Sequence, residues 1–443
     1  MLNLENDKKV VKGSEPMKVT MNPSSVKGEV NAIPSKSHLH RLLICGSLAD
    51  KETKIICAHT GAEDISATVA CLEAIGSKIE TLSDGFLVQP IDRDNLPSTA
   101  ILPCKESGST FRFMLPIVCA LGITGDFHME GRLPERPIAP LDGVLEGKGI
   151  KLSRPTQTTL RCEGQLESGT YTIAGNVSSQ YISGLLMALP LLEADSTLEI
   201  TESLQSGDYI AITLGVQKDF GVTHELTDTT YHVKGGTTFT SPSQILTDGD
   251  WSNGAFWLAC GAMPGGDVTL KNINAHSLQG DRRMADIIRQ IGVNLQWEGN
   301  EVTATEGKRQ AVEIDAGEIP DLIPVISAVL SVAEGVSVIK NAGRLRIKES
   351  DRLATTASTL NALGAKVTEL EDGLIIEGVK HLKGGMVDAH IDHRIAMLAA
   401  VASLACTEPV ILTGAQAVNK SYPKLWEDLQ PLGKQLEIRE EGV

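Results

Sequence analysis

A sixfold internal repeat of about 71 residues constrains the fold of this chain more than any other feature of its sequence. Six segments each place a short polar turn before an apolar helical stretch. One residue in each turn marks the phase: Lys36, Ser107, Ser178, Ser252, Asp321 and Asp392. Successive marks lie 71, 71, 74, 69 and 71 residues apart. Such a period is typical of a chain built from repeated supersecondary units.

A second marker keeps the same period about forty residues after the first. It consists of the end of an amphipathic helix, then a glycine, then a strand pattern. Those glycines are Gly76, Gly149, Gly221, Gly292, Gly364 and Gly433. Glycine commonly follows a helix because it adopts the left-handed backbone conformation at little cost. We predict six units, each with a buried helix, an amphipathic helix and about four strands.

The number of units and the chain length together predict two α/β domains. A chain of 443 residues is too long for one ordinary hydrophobic core. Three units on each side would give two domains with pseudo-threefold symmetry. Residues 240–252 lie near the midpoint and contain proline and polar residues, so we place the boundary there.

Net charge restricts the partners of this chain. The formal charge is -16 and aromatic residues make up 4%, which argues against general binding of nucleic acid, of an anionic membrane or of stacked bases. The N-terminal segment has no apolar run typical of a secretory signal, and no apolar run reaches the ~18 residues that span a bilayer. The eight cysteines form no CxxC pair. We expect buried free thiols and a cytoplasmic location.

The polar turns are candidate anion sites. Each lies at a helix N-terminus, where free backbone N–H groups and the positive end of the helix dipole favour phosphate or carboxylate. Arginine adds bidentate contacts, and lysine adds a point charge. Basic residues in or near the turns, or in other basic segments, are Lys36, Arg41, Arg112, Arg132, Arg136, the run Arg344 to Arg352, Arg394 and Lys420. We expect these cations to share one anion site.

Two carboxylates are candidate acid–base groups, each with a structural alternative. Asp321 is also placed to cap the buried helix of the fifth unit. Glu349, between Lys348 and Arg352, also fits a surface ion-pair run. Nearby cations would shift the pKa of either group.

Other types of site have less support. The pair His390 and His393 with Asp388 and Asp392 resembles a metal cluster but lacks further histidine or cysteine partners, so we expect no metal. No phosphate-binding loop of the nucleotide-binding types and no serine-hydrolase elbow occurs in the sequence.

Seven motifs, in one order along the chain, resemble those of the 5-enolpyruvylshikimate-3-phosphate synthase family of enolpyruvyl transferases. They are PSKSHLHR, ERPIAPL, NVSSQYISGLLMALP, IPDLIP, RIKESDRL, DHRIAM and NKSYP. The resemblance runs from about Met17 to near the C-terminus. It implies two inverse α/β barrels, each of three βαβαββ units, with the active site in the cleft between them. Residues 34–247 would bind mainly shikimate 3-phosphate, and residues 1–33 plus 248–443 mainly phosphoenolpyruvate.

The resemblance also implies a reaction and the residues for it. The enolpyruvyl group of phosphoenolpyruvate would pass to the 5-hydroxyl of shikimate 3-phosphate without metal or organic cofactor, in a monomer. Asp321, Glu349 and Lys36 would be catalytic. Shikimate 3-phosphate would be bound by Lys36, Ser37, Arg41, Ser178, Ser179, Gln180, Ser206, Tyr209, Asp321, Arg344 and Lys348. Phosphoenolpyruvate would be bound by Lys36, Gly108, Arg136, Gln180, Arg352, Arg394 and Lys420.

Three positions depart from the family pattern. Glu106 stands where asparagine is usual, and we expect Arg136 or Lys105 to pair with it. Arg344 replaces an asparagine that touches the shikimate phosphate, a contact that arginine can also make. Gly207 and Asp208 replace a Lys-Pro pair. Gly108 and the Ser-Ser-Gln run suggest a glyphosate target.

Two alternatives remain at this point. The sister enzyme that acts on UDP-N-acetylglucosamine shares the fold and the donor, but its usual loop cysteine is missing from GRLPERPIAP. A non-catalytic module that binds anions or RNA ends would not require both Asp321 and Glu349.

Overall fold

The computed structural model describes residues 17–57, 62–204 and 207–440, which contain 24 strands and 12 α-helices. In chain order the strands are β1 Met17–Met21, β2 Lys27–Asn31, β3 Thr53–Ile56, β4 Lys78–Leu82, β5 Gly85–Gln89, β6 Thr99–Lys105, β7 Thr124–Met129, β8 Lys151–Thr156, β9 Thr159–Glu163, β10 Thr170–Ala174, β11 Ser196–Thr201, β12 Glu225–Thr227, β13 Thr230–Val233, β14 Gln244–Leu246, β15 Asp267–Lys271, β16 Asn294–Glu298, β17 Glu301–Thr305, β18 Glu313–Asp315, β19 Val336–Lys340, β20 Lys366–Leu370, β21 Gly373–Glu377, β22 Gly385–Asp388, β23 Val410–Thr413 and β24 Leu436–Glu440.

The α-helices alternate between two kinds. They are α1 Lys36–Ser47, α2 Glu63–Ala74, α3 Gly108–Ala120, α4 Leu141–Glu146, α5 Ser179–Ala188, α6 Gly207–Asp219, α7 Trp251–Ala262, α8 Met284–Ile291, α9 Ile323–Leu330, α10 Arg352–Ala362, α11 His393–Ala402 and α12 Leu425–Leu429. Odd-numbered helices are buried over most of their length, whereas α8 buries Met284, Ile288 and Ile291 on one face and exposes Arg289 on the other. This alternation matches the two predicted helix types.

Short 3₁₀ helices connect several of these elements. They are Leu133–Glu135, Leu189–Leu191, Gly280–Arg283, Pro320–Leu322, Gly343–Ile347, Ser403–Ala405 and Ala415–Lys420.

Six four-stranded sheets share one topology. Their orders are β14-β3-β5-β4, β6-β7-β9-β8, β10-β11-β13-β12, β16-β17-β15-β2, β18-β19-β21-β20 and β22-β23-β1-β24. Each sheet combines one parallel pair with two antiparallel pairs. The predicted six units of about four strands are therefore confirmed.

The chain crosses between its two halves twice, and the crossings lie side by side. Strands β1 and β2, at the start of the described chain, pair with β23, β24 and β15 of the C-terminal half. Ser35 N donates to Asp248 O at 2.7 Å, and Asp250 N donates to Ile33 O at 2.8 Å. These paired crossings lead directly into helices α1 and α7, so they fix the two helix starts beside each other.

All six marker glycines adopt the left-handed conformation, as their position after a helix predicts. Their φ angles, in chain order, are 109°, 90°, 76°, 98°, 95° and 99°. A side chain at these positions would be strained, so glycine ends each second helix and allows the chain to turn into the next strand.

The buried side chains form two separate hydrophobic clusters. One gathers residues between Leu39 and Phe239, and the other gathers Val19 to Val30 with residues from Trp251 to Leu432. The boundaries 34–247 and 1–33 plus 248–443 stay a prediction, which this separation supports. All eight cysteines are buried free thiols. Among the described residues, no helix is both long and apolar enough to cross a bilayer.

Candidate active site

Both halves of the chain line one cavity of about 130 Å³. Lys36 and Arg136 reach it from the N-terminal half, and Arg352 and Arg394 reach it from the C-terminal half. The other predicted site residues that line it are Ser37, Arg41, Gly108, Ser178, Ser179, Gln180, Tyr209, Asp321, Arg344, Lys348 and Glu349. Lys420 lies in an adjoining cavity that shares Arg136 and Glu349. Ser206 lies outside the described residues.

Five of the six buried helices begin at a side-chain N-cap near this cavity. The caps are Ser35, Ser107, Ser178, Asp250 and Asp392, and each accepts a hydrogen bond from a backbone N–H of its own first turn. The sixth, α9, has no side-chain cap, because Asp321 lies in the preceding 3₁₀ helix and makes ion pairs instead. The capping interpretation of Asp321 is therefore wrong.

Lys36 opens helix α1 and ties the two halves together. Its backbone N–H donates to Asp250 Oδ2 at 3.0 Å, across the paired crossings. Its ammonium group donates to Asp64 Oδ2 at 2.8 Å, and the Lys36 side chain keeps 19% of its surface exposed. The lysine is therefore held in place with part of its charge facing the cavity.

Arg41 is buried, one turn further along α1, among neutral partners. It donates to Ser37 O and Thr213 Oγ1, each at 2.6 Å, and to Tyr209 O at 2.9 Å. Its guanidinium lies 4.8 Å from the ring centroid of Phe113. Burial lowers the pKa of Arg41 to about 10, which leaves it charged at neutral pH. Because its partners are uncharged, its positive field is not neutralised.

Arg112 also lines the cavity, as expected of a cation of the shared anion site, although the family resemblance gave it no substrate to bind. It donates to Gln180 Oε1 at 2.6 Å, and its guanidinium lies 5.4 Å from the ring centroid of Tyr181. Burial lowers the pKa of Arg112 to about 10, and the positive charge of the neighbouring Arg136 contributes to this shift. Its position five residues after the mark Ser107, as Arg41 lies five residues after the mark Lys36, is the signal that could have assigned it a substrate contact.

Gly108 allows Arg136 to approach the start of helix α3. A Cβ atom at this position would lie 2.9 Å from a terminal nitrogen of Arg136. Arg136 Nε is buried and has no hydrogen-bond partner among the described residues. An anion bound here would supply that missing partner.

Asp321 is the centre of a charged cluster in the C-terminal half. Its Oδ1 atom lies 2.7 Å from Arg352 and 3.2 Å from Lys348. Burial opposes the charged form of this carboxyl, but Lys348, Arg352 and Arg394 together hold its pKa well below the usual range. Asp321 is therefore ionised and able to accept a proton.

Glu349 shares Arg352 with Asp321 and adds a second cation. Its Oε2 lies 2.8 Å from Arg352, and its Oε1 lies 3.8 Å from Lys420. Although burial disfavours its charge, Arg352 and Lys420 keep its pKa well below the usual range. Its side chain is 16% exposed, so the surface ion-pair interpretation is wrong. The carboxylate faces the cavity.

Arg352 is anchored from behind by Asp392, the N-cap of α11. The Nε atom of this arginine lies 2.8 Å from Asp392 Oδ2. Burial would favour the neutral form, but Asp392, Glu349 and Asp321 raise the pKa of Arg352 above its usual value. The next arginine, Arg394, instead donates to the backbone oxygen of Ser252 at 2.7 Å. The side chains of Arg352 and Arg394 are thus both held near the N-terminus of α11.

Glu106 pairs with Lys420 and not with the cations that we expected. Its Oε2 lies 3.6 Å from Lys420 Nζ, and its backbone oxygen accepts from the same nitrogen at 3.2 Å. The expectation of Arg136 or Lys105 is therefore wrong, since the loop carries Glu106 toward the C-terminal half. Burial opposes the charge of Lys420, but Glu349, Asp64 and Glu106 together raise its pKa.

Among the described residues, no three side chains of metal-ligating type come together. His390 lies 3.8 Å from Asp388, whereas His393 is buried beside Asp392. The two histidines therefore have different surroundings.

Comparison with known proteins gives one family. The family description "EPSP synthase (3-phosphoshikimate 1-carboxyvinyltransferase)" matches residues 20–429. The chain belongs to the EPSP synthase family. The sequence-based family assignment is confirmed.

Relatives of this EPSP synthase family member match it over nearly its whole length. The chain is 40% identical to a 3-phosphoshikimate 1-carboxyvinyltransferase of Clostridium kluyveri, over 95% of this chain and 98% of that protein. It is 39% identical to the protein of the same name from Clostridioides difficile, over 94% and 97% of the two chains. A solved EPSP synthase of Acinetobacter baumannii shares the fold, with a TM-score of 0.78, 24% identity and coverage of 96% of this chain and 100% of that one. The predicted fold is confirmed.

The EPSP synthase motifs did not single out every polar residue that lies at this cavity. Asp64, Asp250 and Ser252 also line it and hold the predicted cations in place. Asp64 lies in the first turn of α2, an ordinary amphipathic helix, so the local sequence gives it no signal. Its role becomes visible once the fold brings α2 beside α1.

Proposed function

We propose that this cavity transfers the enolpyruvyl group of phosphoenolpyruvate to the 5-hydroxyl of shikimate 3-phosphate, giving 5-enolpyruvylshikimate 3-phosphate and phosphate. This is the activity named for the relatives, a step of the shikimate pathway to chorismate and the aromatic amino acids. The observation that carries the proposal is the meeting of four cations from both halves, Lys36, Arg136, Arg352 and Arg394, around one cavity. Two small anions need such a field in a chain whose net charge is -16.

The acceptor is assigned mainly to the N-terminal half. Arg41 and Lys36 provide positive charge, and the hydroxyls of the Ser178 turn provide hydrogen bonds to phosphate and ring hydroxyls. The remaining assigned residues are Ser37, Ser179, Gln180, Ser206, Tyr209, Asp321, Arg344 and Lys348. Arg344 lines the cavity, so its guanidinium can replace the amide usual at that position.

The donor is assigned to residues of both halves. Arg136 and Arg394 each keep a buried Nε without a hydrogen-bond partner among the described residues. Such unfilled donors suit the phosphate and carboxylate of phosphoenolpyruvate. The remaining assigned residues are Lys36, Gly108, Gln180, Arg352 and Lys420.

Asp321 and Glu349 divide the proton transfers. The 5-hydroxyl oxygen bonds to C2 of phosphoenolpyruvate while its proton passes to Asp321, and C3 takes a proton from Glu349. Glu349 then removes a proton from C3, the C2–O bond to phosphate breaks, and the double bond forms again. Lys36 places positive charge beside the phosphate as it leaves. The proton of the 5-hydroxyl leaves with phosphate.

Glu349 must carry a proton before it can act as an acid, although its surroundings keep it ionised. The substrates resolve this conflict. Their phosphate and carboxylate groups would occupy Arg352 and Lys420, which are the cations that lower the pKa of Glu349. Burial, which raises the pKa, would then dominate. Binding of phosphoenolpyruvate therefore favours the protonated form of Glu349, which can act as the acid.

We further propose that residues 34–247 and 1–33 plus 248–443 form two domains, and that the protein is a cytoplasmic monomer that needs no cofactor. The alternative acceptor, UDP-N-acetylglucosamine, and the RNA-end binding alternative have no support in the family match.

A phosphate-release assay tests the proposed function. Phosphoenolpyruvate is supplied with shikimate 3-phosphate or with UDP-N-acetylglucosamine, with and without EDTA. We expect release with shikimate 3-phosphate alone and no effect of EDTA. Release with the nucleotide sugar would overturn the acceptor assignment, and strong inhibition by EDTA would indicate a metal. Lys36→Met should abolish release, because it removes the charge shared by both substrates.

A further inference from the structure

Asp281 is a buried carboxyl at the cleft to which the proposed mechanism gives no role. It belongs to the 3₁₀ helix Gly280–Arg283 and is 3% exposed. Among the described residues, no cation lies within 4 Å of its carboxylate, and its Oδ1 has no hydrogen-bond partner. A buried carboxylate without a cation partner is costly, so its presence at the cleft calls for an explanation.

Tyr209 connects this carboxyl to the proposed base. The Tyr209 hydroxyl lies 3.4 Å from Asp281 Oδ2 and 3.5 Å from Asp321 Oδ2. A phenol has one proton, so it can donate to one of these carboxylates at a time. The tyrosine comes from helix α6 of the N-terminal half, whereas both carboxylates belong to the C-terminal half. The contact therefore exists where the two halves meet.

The two oxygens of Asp321 have different surroundings. Oδ1 is taken by Arg352 and Lys348, at 2.7 and 3.2 Å. Oδ2 has Tyr209 as its nearby donor, so it is the oxygen left to receive the proton of the 5-hydroxyl. A hydrogen bond from Tyr209 would lower the affinity of Oδ2 for that proton.

We propose that Asp281 is a positioning residue whose ionised carboxylate draws the Tyr209 hydroxyl proton away from Asp321 Oδ2 and so makes Asp321 a better base. This inference rests on the proposed function and adds a residue to it. The negative charge of Asp281 acts in the same direction, since a like charge nearby increases the proton affinity of Asp321.

The arrangement makes the reaction sensitive to pH. Burial, and then the charge of Asp321, raises the pKa of Asp281 to about 6. The other groups that face it are Tyr209, Asp250, Arg394 and Ser252, of which Arg394 and Ser252 favour the ionised form. Above this pH, Asp281 is ionised and accepts the Tyr209 proton. Below it, protonated Asp281 donates to Tyr209, which turns its proton toward Asp321.

The test is the pH profile of kcat for the full chain with both substrates saturating. In the wild type, kcat should rise with pH through an acidic limb at about pH 6 or above, because bound anions favour the protonated carboxyl. Asp281→Asn should reduce kcat at pH 8 by about tenfold and remove this limb, since an amide does not titrate. Asp286→Asn, on the exposed face of α8, should change neither.

Two further variants keep the proposal falsifiable. Asp281→Glu should restore the limb, and Tyr209→Phe should remove most of it, because the phenol transmits most of the effect and only the direct charge of Asp281 remains. If Asp281→Asn does not fold, as judged by circular dichroism, the Tyr209→Phe profile decides the question. A limb of wild-type size in either folded variant would overturn the proposal. A wild type without transfer activity would instead overturn the proposed function.

Discussion

The two walls of the cleft begin from the same repeated unit but surround their cations differently. In the N-terminal half, Arg41 and Arg112 are held by backbone oxygens, hydroxyls, an amide and aromatic faces. In the C-terminal half, Arg352 and Lys348 are held by carboxylates, of which Asp321 is shared between them. The cations also occupy different positions of the repeat, since Arg41 and Arg112 lie on the buried helices α1 and α3, whereas Arg352 begins α10.

This difference shows how one repeat can supply both binding and chemistry. A cation with neutral partners keeps its field for a bound anion, which suits recognition of phosphate. A cation paired with a carboxylate holds that carboxylate ionised until a substrate anion displaces it, which suits proton transfer. Lys36, paired with Asp64, and Arg394, bonded to Ser252, are exceptions that lie where the two walls meet.

The largest expected effect comes from removing the acid–base group of the C-terminal wall. Glu349→Gln should lower kcat by about a thousandfold, because an amide cannot exchange the proton at C3. The Kd for shikimate 3-phosphate, measured by calorimetry, should not change. Glu377→Gln, which alters an exposed ion pair with Lys366, is the control. An unchanged kcat in the Glu349 variant would remove this residue from the mechanism.

Replacing a cation of the N-terminal wall should weaken substrate binding and leave kcat nearly unchanged, which is the opposite of the result for Glu349. Arg41→Lys should weaken binding of shikimate 3-phosphate by about a hundredfold, because an ammonium cannot keep the fork of hydrogen bonds. At saturating substrate, kcat should stay within a few-fold of the wild type. Arg154→Lys, at an exposed strand position, is the matched control. Loss of kcat without loss of affinity would contradict the assignment of binding to the N-terminal wall and of proton transfer to the C-terminal wall.

A substitution at Gly108 tests how far the difference between the two walls extends. This residue lies in the N-terminal half but beside the proposed site of phosphoenolpyruvate. Gly108→Ala should raise KM for phosphoenolpyruvate by about tenfold, because the new Cβ would displace Arg136 from its present position. Affinity for shikimate 3-phosphate should be unaffected. Gly143→Ala, where a Cβ would meet nothing within 4 Å, should be silent. Steady-state kinetics with each substrate varied would distinguish these results.

The smallest expected effect concerns an ion pair between the two halves. Arg283 lies 3.0 Å from Asp208, and their side chains are 42% and 30% exposed. Arg283→Ala should change KM for either substrate by about twofold at most, because exposed pairs contribute little. Raising the salt concentration should have a similar effect on the wild type. A tenfold change would show that this pair governs the approach of the halves.

The repeat made most of the fold predictable, because helix stops and buried helices depend on local residue types. The six marker glycines and the alternation of helices followed from spacing and periodicity. The ion-pair partners of Glu106 and Asp321 did not follow from spacing or periodicity, because they depend on which loops the fold brings next to these two side chains. Asp281 gave no signal for the same reason. Its neighbour Tyr209 is 72 residues away in the chain.

A double-mutant cycle on kcat/KM for shikimate 3-phosphate tests the division of the two walls most directly. It compares Arg41→Lys, Glu349→Gln and the double variant by single-turnover phosphate release. If one wall binds and the other transfers protons, the double variant should lose the product of the two single losses, within about twofold. A double variant no worse than the poorer single variant would contradict the account, because the two residues would then serve one step.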